Sequence, residues 1–514
     1  MAAPYEGPFS MPMYRDWVPK AIRPWIYVIF AFVFQLSGTW YGGAMSQIMG
    51  TTSLMREDVT MIIMMGVVGV NMPFPFLFRF KFRFTNHQLL LTAATVILVC
   101  DLLSMWVTWV PMLCLLSYVA GFFKLCGTFE CISNIRLWIS PKQNFGVFLP
   151  TIYIIILGAM SASTWITQQV TYHYDNWQMM NWLMAGVFIV MILLLLLLTK
   201  NFHFMPPMPL LSLDWLGCIL WSTVMLEVIW LFVYGEFYNW TDGAMWRVVA
   251  VALPVTLAVS IARMRRIRHP YIEPQLWRHS RLIPILGMFA VAEMMNATPR
   301  VLQTTFTGGV LHWGMLTTSV LNLWEWAGTI IGCLMVIWWS KSVRRSYTGV
   351  LSLGFAALLI YQVVMYFSIS LSMPLERLYV PTLLRAMGYA IFFATMTLYL
   401  KDLINFPAFF MALTMSGFIR NGVVESMFSG IYSYHLRYHI ADNMVRGVPY
   451  DMVQAVMVSV KQGYGAVCVI GVIILLLMLI YEFQPVRLRV RKMPSIFAIR
   501  RLLAMRQRTT SKAV

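Results

Sequence analysis

Residues 179–199 read MMNWLMAGVFIVMILLLLLLT and contain no charged side chain. A helix needs about 20 mostly apolar residues to cross the hydrocarbon core of a bilayer. In a soluble domain, a helix that is apolar on every side would have to be buried all round. The stretch therefore predicts a transmembrane helix, and the class of the whole fold depends on how often the pattern recurs.

The pattern recurs along the whole chain. Of the 514 residues, 60% are hydrophobic and 11% are charged, against roughly 25% charged residues in soluble domains. This composition cannot cover a soluble surface, which excludes ordinary soluble enzymes, disordered scaffolds and nucleic-acid-binding modules. The apolar stretches predict an all-α polytopic protein with fourteen transmembrane helices, near residues 24–46, 58–78, 88–107, 111–134, 146–168, 179–199, 214–234, 245–263, 282–304, 314–339, 348–371, 380–400, 408–431 and 458–481.

The basic residues are distributed like a topology signal. The net charge is +18, and 28 of the 38 Lys and Arg residues fall in segments that a cytoplasmic N-terminus would place in the cytoplasm. Loops on that side of a membrane are enriched in Lys and Arg. We expect both termini in the cytoplasm, the lipid bilayer as partner and no nucleic acid. The basic tail also interleaves apolar residues between Ile496 and Met505, which predicts a short interfacial helix.

Specific motifs surround the seventh and eighth spans. Asp214-Trp215-Leu216-Gly217 opens the seventh span, and Arg268-His269-Pro270-Tyr271-Ile272-Glu273-Pro274 follows the eighth. Shorter motifs elsewhere are Trp177-Gln178 with Asn181, Leu302-Gln303, Arg385 with Gly388, and Arg420-Asn421-Gly422. Together they resemble the fourteen-span drug:proton antiporters of the major facilitator superfamily, the EmrB/QacA type.

The resemblance implies both an architecture and a function. It implies two six-helix bundles, an accessory two-helix hairpin, and proton-driven export of hydrophobic or cationic small molecules through the inner (plasma) membrane. The proton gradient would supply the energy without a cofactor, and a periplasmic adaptor and an outer-membrane channel would be partners in a Gram-negative cell. The implied units are an N-tail (1–23), an N-terminal bundle (24–199), a linker and hairpin (200–263), a cytoplasmic loop (264–281), a C-terminal bundle (282–481) and a basic tail (482–514).

Two departures from that family keep another function open. Span five lacks the antiporters' Gly-Pro-x-x-x-Gly-Gly-like signature and has the small residues Gly158 to Ser163 instead, which predict close helix packing. The loop between spans two and three, residues 75–84, keeps its basic charge but lacks the family's Asp and glycines. The alternative is a major-facilitator transporter of another substrate or direction, such as nutrient or lipid symport.

Charged residues inside the spans are the candidates for chemistry, because charges are costly in a bilayer. A carboxylate that couples transport to protons must bind a proton inside the protein and meet water from each side in turn. The candidates for proton coupling are Glu130, Glu293, Glu325 and Glu425, and the candidates for substrate contact or charge pairing are Lys124, Arg300, Arg385, Arg420, Trp324 and Trp326. The alternative for each carboxylate is a structural ion pair between helices.

The sequence gives less support to other classes of function. The eight histidines are scattered, no nucleotide-binding Gly-x-x-x-x-Gly-Lys-Ser/Thr motif occurs, and no metal-ligand spacing is present. We therefore expect neither an enzyme nor a metal site. Gly328-x-x-x-Gly332 in span ten predicts a close helix contact.

Overall fold

The structure is a computed structural model, and it describes residues 14–480 apart from 40, 141–143, 202–209, 211–212, 280, 342–346, 405 and 447–451. The described residues form 17 α-helices and no β-strand. Eleven helices are long and apolar enough to cross a membrane. The protein is thus an integral, multi-pass membrane protein of helical class, as the composition predicts. The predicted interfacial helix in the tail lies outside the described residues.

The N-terminal half contains eight helices: α1 (Arg23–Leu36), α2 (Met45–Thr52), α3 (Arg56–Asn71), α4 (Leu77–Arg83), α5 (Asn86–Ser104), α6 (Val110–Ile139), α7 (Phe145–Tyr174) and α8 (Met179–Leu198). Helix α6 is central, because α1, α3 and α5 all pack against it. Helix α8 is the segment with which the sequence argument began, and it packs on α5. Many of its side chains, including Leu193 and Leu197, are exposed, as expected for a surface that faces lipid.

The remaining helices are α9 (Trp215–Val233), α10 (Ala244–Arg266), α11 (Leu282–Thr298), α12 (Met315–Ser340), α13 (Tyr347–Ser368), α14 (Tyr379–Leu403), α15 (Phe406–Phe418), α16 (Val424–Arg446) and α17 (Met452–Ile480). Three π-helical segments interrupt this half, at Pro299–Gln303, Thr305–Val310 and Ile419–Val423. In the C-terminal half, α14 packs against α11, α12 and α13, and α17 packs against α13 and α16.

The two halves meet along α7 and α12, which run antiparallel. At one end the amide of Asn322 donates to Gln168 at 2.8 Å, and at the other Ser340 donates to the carbonyl of Gly146 at 2.9 Å. A second contact joins α3 to the π-helical segment 419–423. The small-residue face predicted in span five is confirmed, because the Trp326 ring packs directly on Gly158.

Helices α9 and α10 form a hairpin beside the two halves. Helix α9 packs on α3 and α16, while α10 packs mainly on α9 and exposes most of its length. Asp214 fixes the base of the hairpin: it accepts from Gly217 N at 2.9 Å, from Arg263 at 2.8 Å and from Tyr271 N at 3.2 Å. Residues from both motifs around this hairpin therefore meet at one buried carboxylate.

Several predicted boundaries were wrong. Residues 75–84 are not an open loop, since most of them form α4, and the outer loop expected after residue 431 is helical as far as Arg446. The first predicted span is two helices, α1 and α2, separated by non-helical residues around Gly38. Arg136, expected in a cytoplasmic loop, lies on α6. These boundaries were predicted from local hydropathy, which does not show where tertiary contacts extend or break a helix.

Candidate transport cavity and its charges

A cavity of about 470 Å³ lies between the two halves. The N-terminal half contributes residues of α1, α3, α6 and α7, and the C-terminal half contributes residues of α14, α15, α16 and two π-helical segments. Much of the wall is aromatic. Phe78 and Phe129 meet Phe410 of the opposite half, with ring centroids 4.5 Å and 5.8 Å apart. The cavity therefore offers an apolar surface that both halves complete together.

Cationic side chains also line this cavity. They are Lys124, Arg136, Arg300 and Arg420, and among the described lining residues the only carboxylate is Glu425. Arg136 stacks on Phe145, with 4.4 Å between its guanidinium carbon and the ring centroid. The side chain of Arg300 is 50% exposed although it lies deep in the protein, because its accessible surface faces the cavity.

Two of the ion pairs cross between α11 and the α15–α16 region. Glu293 of α11 lies 3.5 Å from Arg420, measured from Oε1 to Nε, and Arg300 pairs with Glu425. Tyr389 of α14 also donates to Glu293 at 2.5 Å. The sequence places Glu293 and Arg300 on one helix and Arg420 and Glu425 on another, but each acid binds the arginine of the other helix.

Both arginines of these crossed pairs lie in π-helical segments. Arg300 is in Pro299–Gln303 and Arg420 is in Ile419–Val423. A π-helical turn adds a residue to the helix and so rotates the side chains that follow, and such turns are frequent at functional sites. Here two arginines that line the cavity lie in such turns.

A third pair lies away from the cavity. Glu325 of α12 pairs with Arg385 of α14, whose guanidinium also donates to Asn296 at 2.7 Å. The flanking tryptophans point to different neighbours. Trp324 stacks on Tyr379 at 5.1 Å, and Trp326 packs on Gly158 of α7. None of Trp324, Glu325 and Trp326 is among the described residues that line the cavity.

Glu130 belongs to a buried polar cluster between α4, α5 and α6. Lys81 donates to it at 3.0 Å, and both side chains are almost fully buried. Asn86 donates to the same oxygen, and the ammonium of Lys81 also donates to Ser133 at 2.6 Å. This arrangement matches the structural alternative for Glu130, since the carboxylate is fixed by partners on two neighbouring helices.

Lys124 of α6 reaches into the gap between α1 and α2. Its ammonium donates to the carbonyl of Ser37 at 2.7 Å, just after α1 ends, and it interacts electrostatically with Asp101 of α5. Asp101 is fully buried, and neither carboxylate oxygen has a hydrogen-bond partner among the residues that the structure describes. The hydroxyl of Tyr41, also near Asp101, is likewise buried. A cation of the cavity wall therefore stands beside a fully buried acid.

Sequence reasoning missed three participants in this network. Asp101 is an acid within the third predicted span, but nothing in the sequence shows which residues surround it. The fourth predicted span ends at residue 134, which leaves Arg136 in the following loop, and nothing distinguishes Tyr389 among the 23 tyrosines. No group of three His, Cys, Asp or Glu side chains within the described chain could hold a metal ion.

No protein-family model and no curated protein sequence matches this chain. Solved structures do match. A mutant of the nucleoside transporter NupG aligns with a TM-score of 0.55 at 12% identity, over 88% of this chain and 99% of that one. A proton dependent oligopeptide transporter structure aligns with a TM-score of 0.57 at 14% identity (90% and 98% of the two chains), and tetrameric PepTSo2 with 0.56 at 12% (90% and 98%). At this level of identity the similarity shows the fold alone: the chain has the fold of major-facilitator-type transporters.

Proposed function

We propose that this protein is a secondary transporter of the plasma (inner) membrane that uses the proton gradient and no cofactor. The observation that carries the proposal is the cavity between two helical halves, whose walls combine aromatic side chains from both halves with ionisable groups. In this architecture the halves rock about a central site and expose it to each side in turn. The transporter fold supports a transport function over an enzymatic one.

The proton-coupling groups that we propose are Glu293, Glu425 and Asp101, which lie on or directly behind the cavity wall. Protonation of Glu425 would release Arg300, protonation of Glu293 would release Arg420, and protonation of Asp101 would leave Lys124 without a counter-charge. Each proton thus changes the charge presented to a substrate. Glu325, which pairs with Arg385 outside the cavity, is a weaker candidate, and Glu130 is held in a structural cluster.

For the direction of transport we propose export of hydrophobic small molecules, as in the fourteen-span antiporters that the motifs resemble. The apolar wall and the Asp214 hairpin support this proposal. Export in a Gram-negative cell would proceed through a periplasmic adaptor and an outer-membrane channel. The second candidate is symport, and one observation favours it: cationic side chains line the cavity, whereas Glu293 and Asp101 lie behind them and Glu425 is less exposed than its partner Arg300, so that a proton and an anion would bind together.

The test is proton movement in everted membrane vesicles loaded with a pH-sensitive dye. We expect substrate-induced proton flux in the unaltered protein and a loss of at least tenfold in Glu425→Gln and in Glu293→Gln. Glu227→Gln is the matched control, since this acid lies on α9, outside both halves. Proton flux that persists in Glu425→Gln, Glu293→Gln and Asp101→Asn would refute coupling through these groups, and outward against inward flux separates export from import.

A further inference from the structure

In the ion pairs at the cavity, the cationic side chain is more exposed than its acidic partner. In the pair of Arg300 and Glu425, the arginine side chain is 50% exposed and the glutamate 13%. In the pair of Arg420 and Glu293, the values are 15% and 4%. Asp101, behind Lys124, is fully buried. Arg420 and Lys124 line the cavity while Glu293 and Asp101 do not, and Glu425 lines it but is less exposed than Arg300. The described lining residues thus include four cationic side chains and one carboxylate, so the surface that a substrate meets is positive on balance.

The positive groups are spread along an apolar wall. Lys124, Thr128, Ile132 and Arg136 recur every four residues on α6, and all four line the cavity. At 1.5 Å per residue, Lys124 and Arg136 lie about 18 Å apart along the helix. The aromatic cluster of Phe78, Phe129 and Phe410 lines the same cavity. A ligand that fits has an acidic group for one of these cations and an apolar or aromatic body for the wall.

We infer that the substrate is an amphipathic organic anion, with a carboxylate, sulfonate or phosphate on an aromatic or aliphatic body. The inference rests on the proposed transport function and deepens it. A cationic drug would meet the ammonium and guanidinium groups that line the cavity, in a site of low dielectric, where repulsion between like charges is strong. Lys124 is the recognition residue, because among the described residues its ammonium makes one hydrogen bond, to the carbonyl of Ser37, which leaves two of its three donors for a ligand.

The test compares three fluorescent probes that share one apolar body. Dansylglycine is anionic, dansylamide is neutral and dansylcadaverine is cationic at neutral pH. Binding to the full-length protein in an uncharged detergent is followed by dansyl fluorescence. We expect dansylglycine to bind at least tenfold more tightly than dansylcadaverine, with dansylamide between them. Equal or tighter binding of the cation, or no binding of any probe, overturns the inference.

Substitutions test which cations cause the preference for the anionic over the cationic probe. Lys124→Gln is expected to reduce the anion-over-cation preference at least tenfold, and Lys124→Arg to keep most of it. Arg136→Gln is a second variant from the other end of the cavity, in case the first does not fold. Arg268→Gln, in the exposed loop after α10, is the control and should bind like the unaltered protein. A preference that survives both Lys124→Gln and Arg136→Gln contradicts recognition by these cations.

Proteoliposomes separate this inference from the proposed function. If dansylcadaverine is transported with proton flux and dansylglycine is not, the transport function stands and the anion inference fails. If dansylglycine binds but no probe crosses the membrane under a proton gradient, recognition of the anion by the cavity stands and the proposed transport function fails.

Discussion

Among the acids within the helices, Asp101 differs in its environment. Glu130, Glu293, Glu325 and Glu425 each contact a lysine or arginine, whereas both oxygens of Asp101 lack a hydrogen bond. A buried carboxylate without donors is costly when ionised. Its charged neighbour is Lys124, and the Tyr41 hydroxyl is also close. A proton on Asp101 would therefore leave the ammonium of Lys124 available to an anion in the cavity.

The corresponding variant is Asp101→Asn, which imitates the protonated acid. In the unaltered protein, dansylglycine should bind more tightly as the pH falls, because protonation of Asp101 removes the competing negative charge. In Asp101→Asn, binding should be tight and independent of pH, while proton-driven transport falls at least tenfold. Probe titrations at several pH values and proteoliposome flux measure the two effects. Glu227→Gln, on the hairpin, is the control; an unchanged pH dependence in Asp101→Asn would contradict the assignment.

Lys81 and Glu130 present the opposite case, an ion pair that belongs to the architecture. Both side chains are almost fully buried and are joined at 3.0 Å. Removing one partner leaves an unpaired buried charge, which costs about 3–5 kcal/mol, whereas replacing both by apolar residues is often nearly neutral.

We therefore expect Lys81→Met to lower the free energy of unfolding by about 3 kcal/mol, and Lys81→Met combined with Glu130→Leu to recover most of that loss. Thermal unfolding in detergent measures both. If the double variant is as unstable as the sum of the two single variants, the pair is not coupled in this way.

At the scale of helices, close backbone contact explains how α12 and α14 pack. A Cβ atom added to Gly328 would clash with the carbonyl oxygen of Leu383, and one added to Gly332 would lie 2.6 Å from that of Met387. The close contact that the glycine spacing predicts is thus confirmed. Since backbone cannot rotate out of the way, any side chain at Gly328 must push the two helices apart.

Gly328→Ala should consequently lower stability by about 1–3 kcal/mol, the usual cost of overpacking. The matched control is Gly287→Ala on α11, where an added Cβ meets no atom within 4 Å; helix propensity should make it neutral or slightly stabilising. Unfolding curves of Gly328→Ala and Gly287→Ala, measured in the same detergent, compare their stabilities. Equal midpoints for both would show that the α12–α14 contact relaxes freely.

Hydropathy located the helices better than it located their interruptions. Eleven of the predicted segments correspond to helices long and apolar enough to span a membrane, because burial in lipid requires length and apolarity, which a sequence displays directly. The first, second and thirteenth predicted spans contain shorter helices instead. The gap after Leu36 and the π-helical turns at Arg300 and Arg420 were not predicted. At the gap after Leu36, Lys124 donates to the carbonyl of Ser37, and the two π-helical turns contain the arginines of the crossed ion pairs. Those contacts join residues far apart in the chain.

At the scale of the whole molecule, the same limit applies to the site. Charge in an apolar segment was enough to single out Lys124, Arg300, Arg420, Glu293 and Glu425, all of which lie on or behind the cavity wall. Their partners could not be read from the sequence, since spacing along a helix indicates which residues share a face but not which helix lies opposite. The cavity surface is positive because the cationic side chains are more exposed to it than their acidic partners, which only the folded protein shows. This positive surface argues against the cationic substrates that the family resemblance implies.

Alternating access makes a last prediction, about the contact between α7 and α12. Gln168 and Asn322 are joined at 2.8 Å across the two halves, whereas Gln462 and Asn443 are joined at 3.2 Å within the C-terminal half. The residue types are the same, and only the location differs. If the halves rock as units, a reversible bifunctional thiol reagent should stop transport in Gln168→Cys/Asn322→Cys by at least tenfold, with recovery on adding dithiothreitol. The same reagent should leave Gln462→Cys/Asn443→Cys active. Full activity in the first pair once its cross-link is confirmed would mean that this end of the α7–α12 contact stays closed throughout the cycle.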